Sequence, residues 1–235
     1  MKVAIVTGAS RGIGLSIAKK LAREKINLAL CSKNKENLRK AENFLKENFD
    51  VEIYSENFDI SNYPAVKNFV ENVYKKFGRI DILVNNAGIL VVGKLNENKI
   101  EEIDYLIKVN LLAPIYFCKE VIPIMIKQKN GIIINISSGA GKTGFANLAV
   151  YCASKFGLNG LTESLAKELS NYNIKVYSIC PGPVKTDMQY EYLKKLSFHE
   201  RILTKAFMQE PDEIAEFVLN AIKGKYKSGS IIDTI

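Results

Sequence analysis

Short apolar runs alternate with longer amphipathic segments along the chain. Residues 3–6, 27–31, 51–54, 80–84, 132–136 and 175–179 are apolar with little polar alternation. Runs of this kind are strands buried on both faces, which is the habit of a parallel sheet. Between them, apolar positions recur at helical spacing over 13–24, 35–48, 64–77, 100–127, 150–169 and 211–223. The last of these opens on Pro211 and stops before Gly224, the ordinary punctuation of a helix. Residues 230–232 predict a final short strand. The alternation predicts an α/β fold, a doubly wound Rossmann-type three-layer sandwich with a parallel sheet and helices on both faces. No repeat or linker divides it, so residues 1–235 read as a single dinucleotide-binding and catalytic domain. One stretch, 189–208, is polar with interspersed aromatics and has no clear period. An irregular insertion there predicts a substrate lid, with Tyr190, Tyr192, Leu193, Leu196 and Phe198 as its apolar side.

The first strand leads straight into Thr7-Gly8-Ala9-Ser10-Arg11-Gly12-Ile13-Gly14, which opens the first helix. Gly8 allows a tight turn, Gly12 lets the backbone approach a pyrophosphate, and Gly14 lets helix and strand pack closely. The helix N-terminus then offers free N–H groups to an anion. In this strand–loop–helix setting the loop predicts dinucleotide binding.

The choice of dinucleotide turns on charge. An acid about 20 residues beyond the glycines usually holds the free ribose hydroxyl of NAD. Here the second strand ends at Cys31 and Ser32-Lys33-Asn34 follow, with no acid. Arg11 and Lys33 can pair with a 2′-phosphate and Ser32 can donate to it, so NADP(H) is expected over NAD. After the third strand, Asp59 in Asn57-Phe58-Asp59-Ile60 either accepts from an adenine amino group or caps the next helix. Asn85-Asn86-Ala87-Gly88 lets the backbone sit against a cofactor or forms an ordinary turn.

Tyr151 and Lys155 stand four apart in a helical segment, so both side chains leave the same face. A nearby cation lowers a phenol's pKa, which makes the pair a general acid/base candidate. The spacing is common in helices and carries little alone. Ser137 and Ser138 both close the fifth strand, at the edge where ligands gather in such sheets. Asn110 interrupts a long apolar helix, where its polarity needs a partner. Pro181-Gly182-Pro183-Val184-Lys185-Thr186 forms a stiff loop after the sixth strand.

Composition excludes several alternatives. Cys31, Cys118, Cys152 and Cys180 are scattered, which predicts reduced thiols in a cytoplasmic protein rather than a disulfide frame or zinc site. His199 is the one histidine, so a multi-histidine metal site is excluded and no metal is expected. The first residues have neither signal-peptide anatomy nor the length of a membrane span. The formal net charge of +8 is spread over helices without a basic arm, which predicts a solvated lysine surface and no nucleic-acid partner.

Taken together, Thr7 to Gly14, Asn85 to Gly88, Ser138, Tyr151-x-x-x-Lys155 and Pro181-Gly182 resemble the short-chain dehydrogenase/reductase family, in particular NADPH-dependent carbonyl reductases such as the 3-oxoacyl-[acyl-carrier-protein] reductases. The resemblance implies a seven-stranded sheet. It implies Ser138, rather than Ser137, as the partner of the substrate carbonyl, and Tyr151 as its proton donor. Lys155 would lower the Tyr151 pKa and hold the nicotinamide ribose, and Asn110 would anchor a relay water. Val184 and Thr186 would lie over the nicotinamide.

The expected function is therefore NADP(H)-dependent reduction of a ketone or aldehyde, with a 3-oxoacyl thioester among the candidates. A dehydrogenase of sugars, polyols or other secondary alcohols is the alternative, and a non-catalytic dinucleotide-binding scaffold is a third reading. A small-molecule partner is expected, with a homodimer or homotetramer as the assembly. An acyl carrier protein would need basic surface near the mouth of the site, for which Lys127 and Lys129 are candidates, though an ordinary solvated lysine surface is the expected reading of both.

Overall fold

The computed structural model describes residues Met1–Ile235. Seven parallel strands form one sheet in the order β3-β2-β1-β4-β5-β6-β7. They are β1 (Val3–Thr7), β2 (Asn27–Ser32), β3 (Ile53–Asn57), β4 (Ile82–Asn85), β5 (Gly131–Ile136), β6 (Ile174–Cys180) and β7 (Ile231–Asp233). The helices are α1 (Gly12–Arg23), α2 (Lys35–Asn48), α3 (Tyr63–Phe77), α4 (Ile100–Ile107), α5 (Ala113–Gln128), α6 (Ala149–Glu168), α7 (Asp187–Leu193), α8 (Phe198–Ala206) and α9 (Pro211–Ile222). The doubly wound architecture expected from the hydrophobic pattern is what forms.

The strands read as unbroken apolar runs because each serves two cores. Ala4, Val6, Leu28, Leu30, Ile82 and Val84 point to the layer of α1, α2 and α9. Their neighbours Val3, Ile5, Ala29, Cys31 and Leu83 point the other way, to α3, α5 and α6. Successive strand side chains alternate between faces, so a strand covered on both sides has no place for polar residues. The apolar segment Ile100–Gln128 has the length and hydropathy of a membrane span. Its Val109, Ala113, Phe117, Val121 and Met125 fill the second core.

Several boundaries move by one or two residues, β4 among them, which begins at Ile82 rather than residue 80, and three differences from the sequence reading have a physical reason. β3 begins at Ile53, not residue 51, and runs on through Ser55, Glu56 and Asn57. It is the edge strand, half-buried along its length, so polar residues are tolerated and hydropathy misplaces it. The helix over 100–127 is interrupted by a π-turn at Lys108–Leu112. Residues 189–208 are not irregular: they hold most of α7 and all of α8. Thr186 caps α7 by accepting from the Gln189 amide, and Ser197 and Glu200 form a reciprocal capping box on α8. Both helices are too short to show a clear period.

Candidate active site

The strand order reverses between β1 and β4, and a cleft of about 920 Å³ opens there, along the C-terminal ends of the strands. The glycine loop, Ser32, Lys33, Asp59, Ile60, Asn86 to Gly88 and the loop from Pro181 to Thr186 line it, and so do Ser138, Tyr151 and Lys155; Asn85 is buried in β4 instead.

The glycine loop forms the cleft floor. Gly8 adopts φ +66°, where a Cβ is strained, and its N–H donates to the Cys31 carbonyl at 2.8 Å. At Gly14 a Cβ would lie 2.4 Å from the Gly8 carbonyl oxygen and 2.5 Å from Asn86 Nδ2. Arg11 precedes α1 without a side-chain cap, which leaves the first-turn amides available to an anion. Thr7 Oγ1 accepts from the Asn86 and Ala87 amides, both at 3.0 Å, and Asn86 Nδ2 donates to the Thr7 carbonyl at 2.8 Å. Asn86-Ala87-Gly88 is thereby bolted to the loop. This narrow backbone cradle fits a pyrophosphate-bearing dinucleotide and is obstructed by any side chain larger than hydrogen at Gly14.

At one end of the cleft, Ser32 Oγ donates to Ser10 Oγ at 2.9 Å. Lys33 Nζ lies 2.8 Å from both Asp59 Oδ2 and the Tyr105 hydroxyl, and that hydroxyl donates to the same carboxylate at 2.8 Å. The Asp59 hydrogen bond, then that of Tyr105, pushes the Lys33 pKa up. Burial works upward on Asp59, but Lys33, Ser61 and Tyr105 outweigh it and hold the carboxyl below its ordinary range. The helix-capping alternative for Asp59 is corrected: Asn62 caps α3, while Asp59 accepts from the Ser61 amide. Arg11 is likewise paired across the cleft, with Asp187 at the start of α7. Both cations expected for a 2′-phosphate thus sit at the site already partnered. Tyr105, missed in the sequence, lies 46 residues from Asp59 and shows no local signal.

At the other end, Lys155 is 4 % exposed and donates to the Ile136 carbonyl at 2.9 Å. Its Nζ lies 5.7 Å from the Tyr151 ring centroid. Burial lowers the Lys155 pKa to about 8. Burial also raises the Tyr151 phenol to about 12, with the Ser138 hydroxyl beside it pulling the other way. Desolvation of the phenol, not the Lys155 charge, dominates, which corrects the expectation that Lys155 lowers its pKa.

Ser137 is buried and donates to the Lys155 carbonyl at 3.1 Å, a strut between β5 and α6. Ser138 Oγ accepts from the Ala140 amide at 3.1 Å and remains half-buried in the wall of the cleft. Asn110, buried within the π-turn, does not line the cleft. Its Oδ1 accepts from the Ile89 amide at 2.8 Å and its Nδ2 donates to the Ile89 carbonyl at 2.9 Å. A Cβ on Gly88 would lie 3.4 Å from Asn110 Oδ1 and 3.6 Å from Lys155 Nζ, so these three groups converge. Asn159 also escaped the sequence reading; its Nδ2 donates to the Gly141 carbonyl at 2.9 Å and steadies the turn after Ser138.

Lys127 and Lys129 are a correction. They lie at the C-terminal end of α5, just before β5 starts at Gly131. That is the opposite edge of the sheet from the cleft, about 20 Å away at roughly 3.3 Å per strand residue.

A glycine cradle at a sheet switch point, with a buried lysine and a tyrosine in one cleft, defines the class of nucleotide-dependent oxidoreductases built on a Rossmann fold. Residues 2–197 match the family described as short chain dehydrogenase. Carbonyl reductase family member 4 of Xenopus laevis is 35% identical over 231 residues, covering 98% of this chain and 95% of that protein. The structure resembles NAD+-bound xylitol dehydrogenase (TM-score 0.93, 30% identity, 99% of this chain and 96% of that one). It also resembles a metagenomic short-chain oxidoreductase in complex with NADP (TM-score 0.83, 37% identity, 99% and 96% coverage). The chain belongs to the short-chain dehydrogenase family and is an oxidoreductase.

Proposed function

We propose that this protein is an NADP(H)-dependent reductase that converts a ketone or aldehyde to an alcohol. The observation that carries the reading is the Tyr151 phenol, beside Ser138, in a cleft whose far end is the glycine cradle. Tyr151 is protonated at neutral pH, as any tyrosine is, and acts as the acid; a neighbouring cation would offset the burial that raises its pKa. A nicotinamide dinucleotide held by the glycine loop would supply the hydride for the carbonyl carbon. Ser138 donates a hydrogen bond to the carbonyl oxygen, and Tyr151 transfers its proton to that oxygen, giving the alcohol. Lys155 stabilises the phenolate left behind and would hold the ribose of a bound nicotinamide nucleotide. Asn110 positions the Ile89 segment behind the pair. Thr186 and Val184, which line the cleft, would hold the nicotinamide end of the cofactor.

The preference for NADP(H) rests on Lys33 and Arg11 and on β2 ending at Ser32 without an acid. Their ion pairs are mostly exposed and worth at most about 1 kcal/mol each, so a phosphate dianion can draw both cations. The NADP-bound relative supports this reading; the NAD+-bound one supports a polyol dehydrogenase as the second. Fluorescence titration is expected to give NADPH binding at least about tenfold tighter than NADH; equal affinities refute the cofactor assignment. NADPH oxidation across thioesters, diketones, aldehydes and sugars tests the reaction. Activity confined to NAD+-linked polyol oxidation favours the second reading, and silence with cofactor bound favours a scaffold.

A further inference from the structure

The substrate end of the cleft is nearly free of usable charge. Tyr151 packs in one cluster with Leu90, Val92, Ala140, Leu148, Cys152 and Tyr192. Phe145, from the turn before α6, Leu196, between the lid helices, and Leu203, on α8, extend the apolar wall. Among its cations, Lys155 is buried on the Ile136 carbonyl, Lys185 pairs with Glu210, and Arg11 pairs with Asp187. Two acids stand on the α7–α8 side, Asp187, which is paired with Arg11, and Glu200. Glu200 Oε2 accepts from the Ser197 amide at 3.0 Å and from the Ser197 hydroxyl at 2.5 Å, which fixes it at the start of α8. Its charge reaches the Tyr192 phenol: burial first, and Glu200 second, raises the pKa of that group.

A carboxylate or phosphate placed on this wall sheds part of its hydration, must compete with Glu210 and Asp187 for the paired Lys185 and Arg11, and faces the Glu200 carboxylate. An uncharged apolar body meets none of these costs and displaces water from leucine and aromatic surface. Rejection of this kind works by repulsion and desolvation rather than by a specific attraction.

We propose that the substrate is a neutral carbonyl compound with an apolar body, and that Glu200 excludes its anionic analogues. The inference rests on the reductase reading above and deepens it. The test compares matched pairs, ethyl acetoacetate against acetoacetate and methyl 4-acetylbenzoate against 4-acetylbenzoate, by NADPH oxidation. The neutral member of each pair is expected to show a kcat/KM at least about 50-fold higher. Glu200→Gln keeps an acceptor oxygen for the Ser197 cap and is expected to narrow that ratio about fivefold by raising activity on the acids. Leu203→Arg, which places a cation on the same wall, is expected to narrow it further. Equal rates on ester and acid, or a ratio that neither variant moves, overturn this inference and leave the reductase reading standing. Silence on both members of every pair, with NADPH bound, sinks the reductase reading and takes this inference with it.

Discussion

The two edges of the sheet are built from the same strands, yet they treat polar groups in opposite ways. At the N-terminal edge, the buried Asp81 carboxylate accepts from the Val3 amide at 2.8 Å and from Arg79 Nε and Nη2 at 2.8 and 2.6 Å. Gln128 accepts from the Ile80 amide at 3.0 Å and donates to its carbonyl at 2.8 Å. Polar groups there are closed onto one another. At the C-terminal edge, the α1 amides and the phenols of Tyr151 and Tyr192 line an open cleft instead, and Lys155 has one protein acceptor. The contrast teaches where to look for function in this fold: polar groups buried and closed onto one another secure it, while those open to the cleft, or held there only in exposed pairs such as Arg11–Asp187, are free to meet a ligand.

Mutation should separate the two edges. Tyr151→Phe removes the proton donor while keeping the ring in its cluster. Turnover is expected to fall about a thousandfold, with NADPH affinity within a few-fold and the melting temperature nearly unchanged. Stopped-flow reduction and calorimetry check both halves, and near-native turnover would refute the assignment of the acid.

Asp81→Ala has the reverse signature. It strands the Val3 amide in a buried position and removes the Arg79 partner, at a cost of about 3–5 kcal/mol. For a chain of this length that is a fall of roughly 10 °C in the melting temperature. The kcat/KM of the folded fraction is expected to match wild type. A large change in KM would mean that the edges are coupled and the contrast is drawn too sharply.

How much of this was legible in the sequence follows the same division. Strand interiors were, because burial on both faces excludes polar residues and leaves an apolar run such as Val3 to Val6. The glycine loop was, because Gly8 and Gly14 answer steric demands that no other residue meets. The partners of the site's polar groups were not. Tyr105 meets Lys33 and Asp59 across 72 and 46 residues, and Asn110 meets Ile89 across 21; only the folded chain brings them together. Lys127 and Lys129 were misplaced for a different reason. A helix returning to start the next parallel strand ends at that strand's N-terminal edge, so α5 carries them away from the cleft. The phenol's pKa was read from its charged neighbour, whereas burial proves the stronger influence on the free protein.

Lys155 offers the finest test, because it is the buried charge of the open edge. Its ordinary pKa of 10.5 is lowered to about 8 by burial. Between these values the folded chain binds fewer protons than the unfolded one, so stability rises with pH. Below pH 8 the cost of the buried ammonium is fully present, about 3 kcal/mol at roughly 1.4 kcal/mol per pKa unit. Tyr151 acts with opposite sign, but only above pH 10, because folding raises its phenol from 10 to about 12. Lys155→Met lacks the lysine effect at every pH. Urea unfolding of both cofactor-free proteins at pH 7 and pH 10 is expected to show the wild type gaining on the variant by about 2–3 kcal/mol. A gap that does not change with pH would mean that the ammonium is already compensated in the free protein. On the reading proposed above, saturating NADPH should shrink the gain, because the hydroxyls of a bound ribose would supply acceptors that the chain leaves out at this edge.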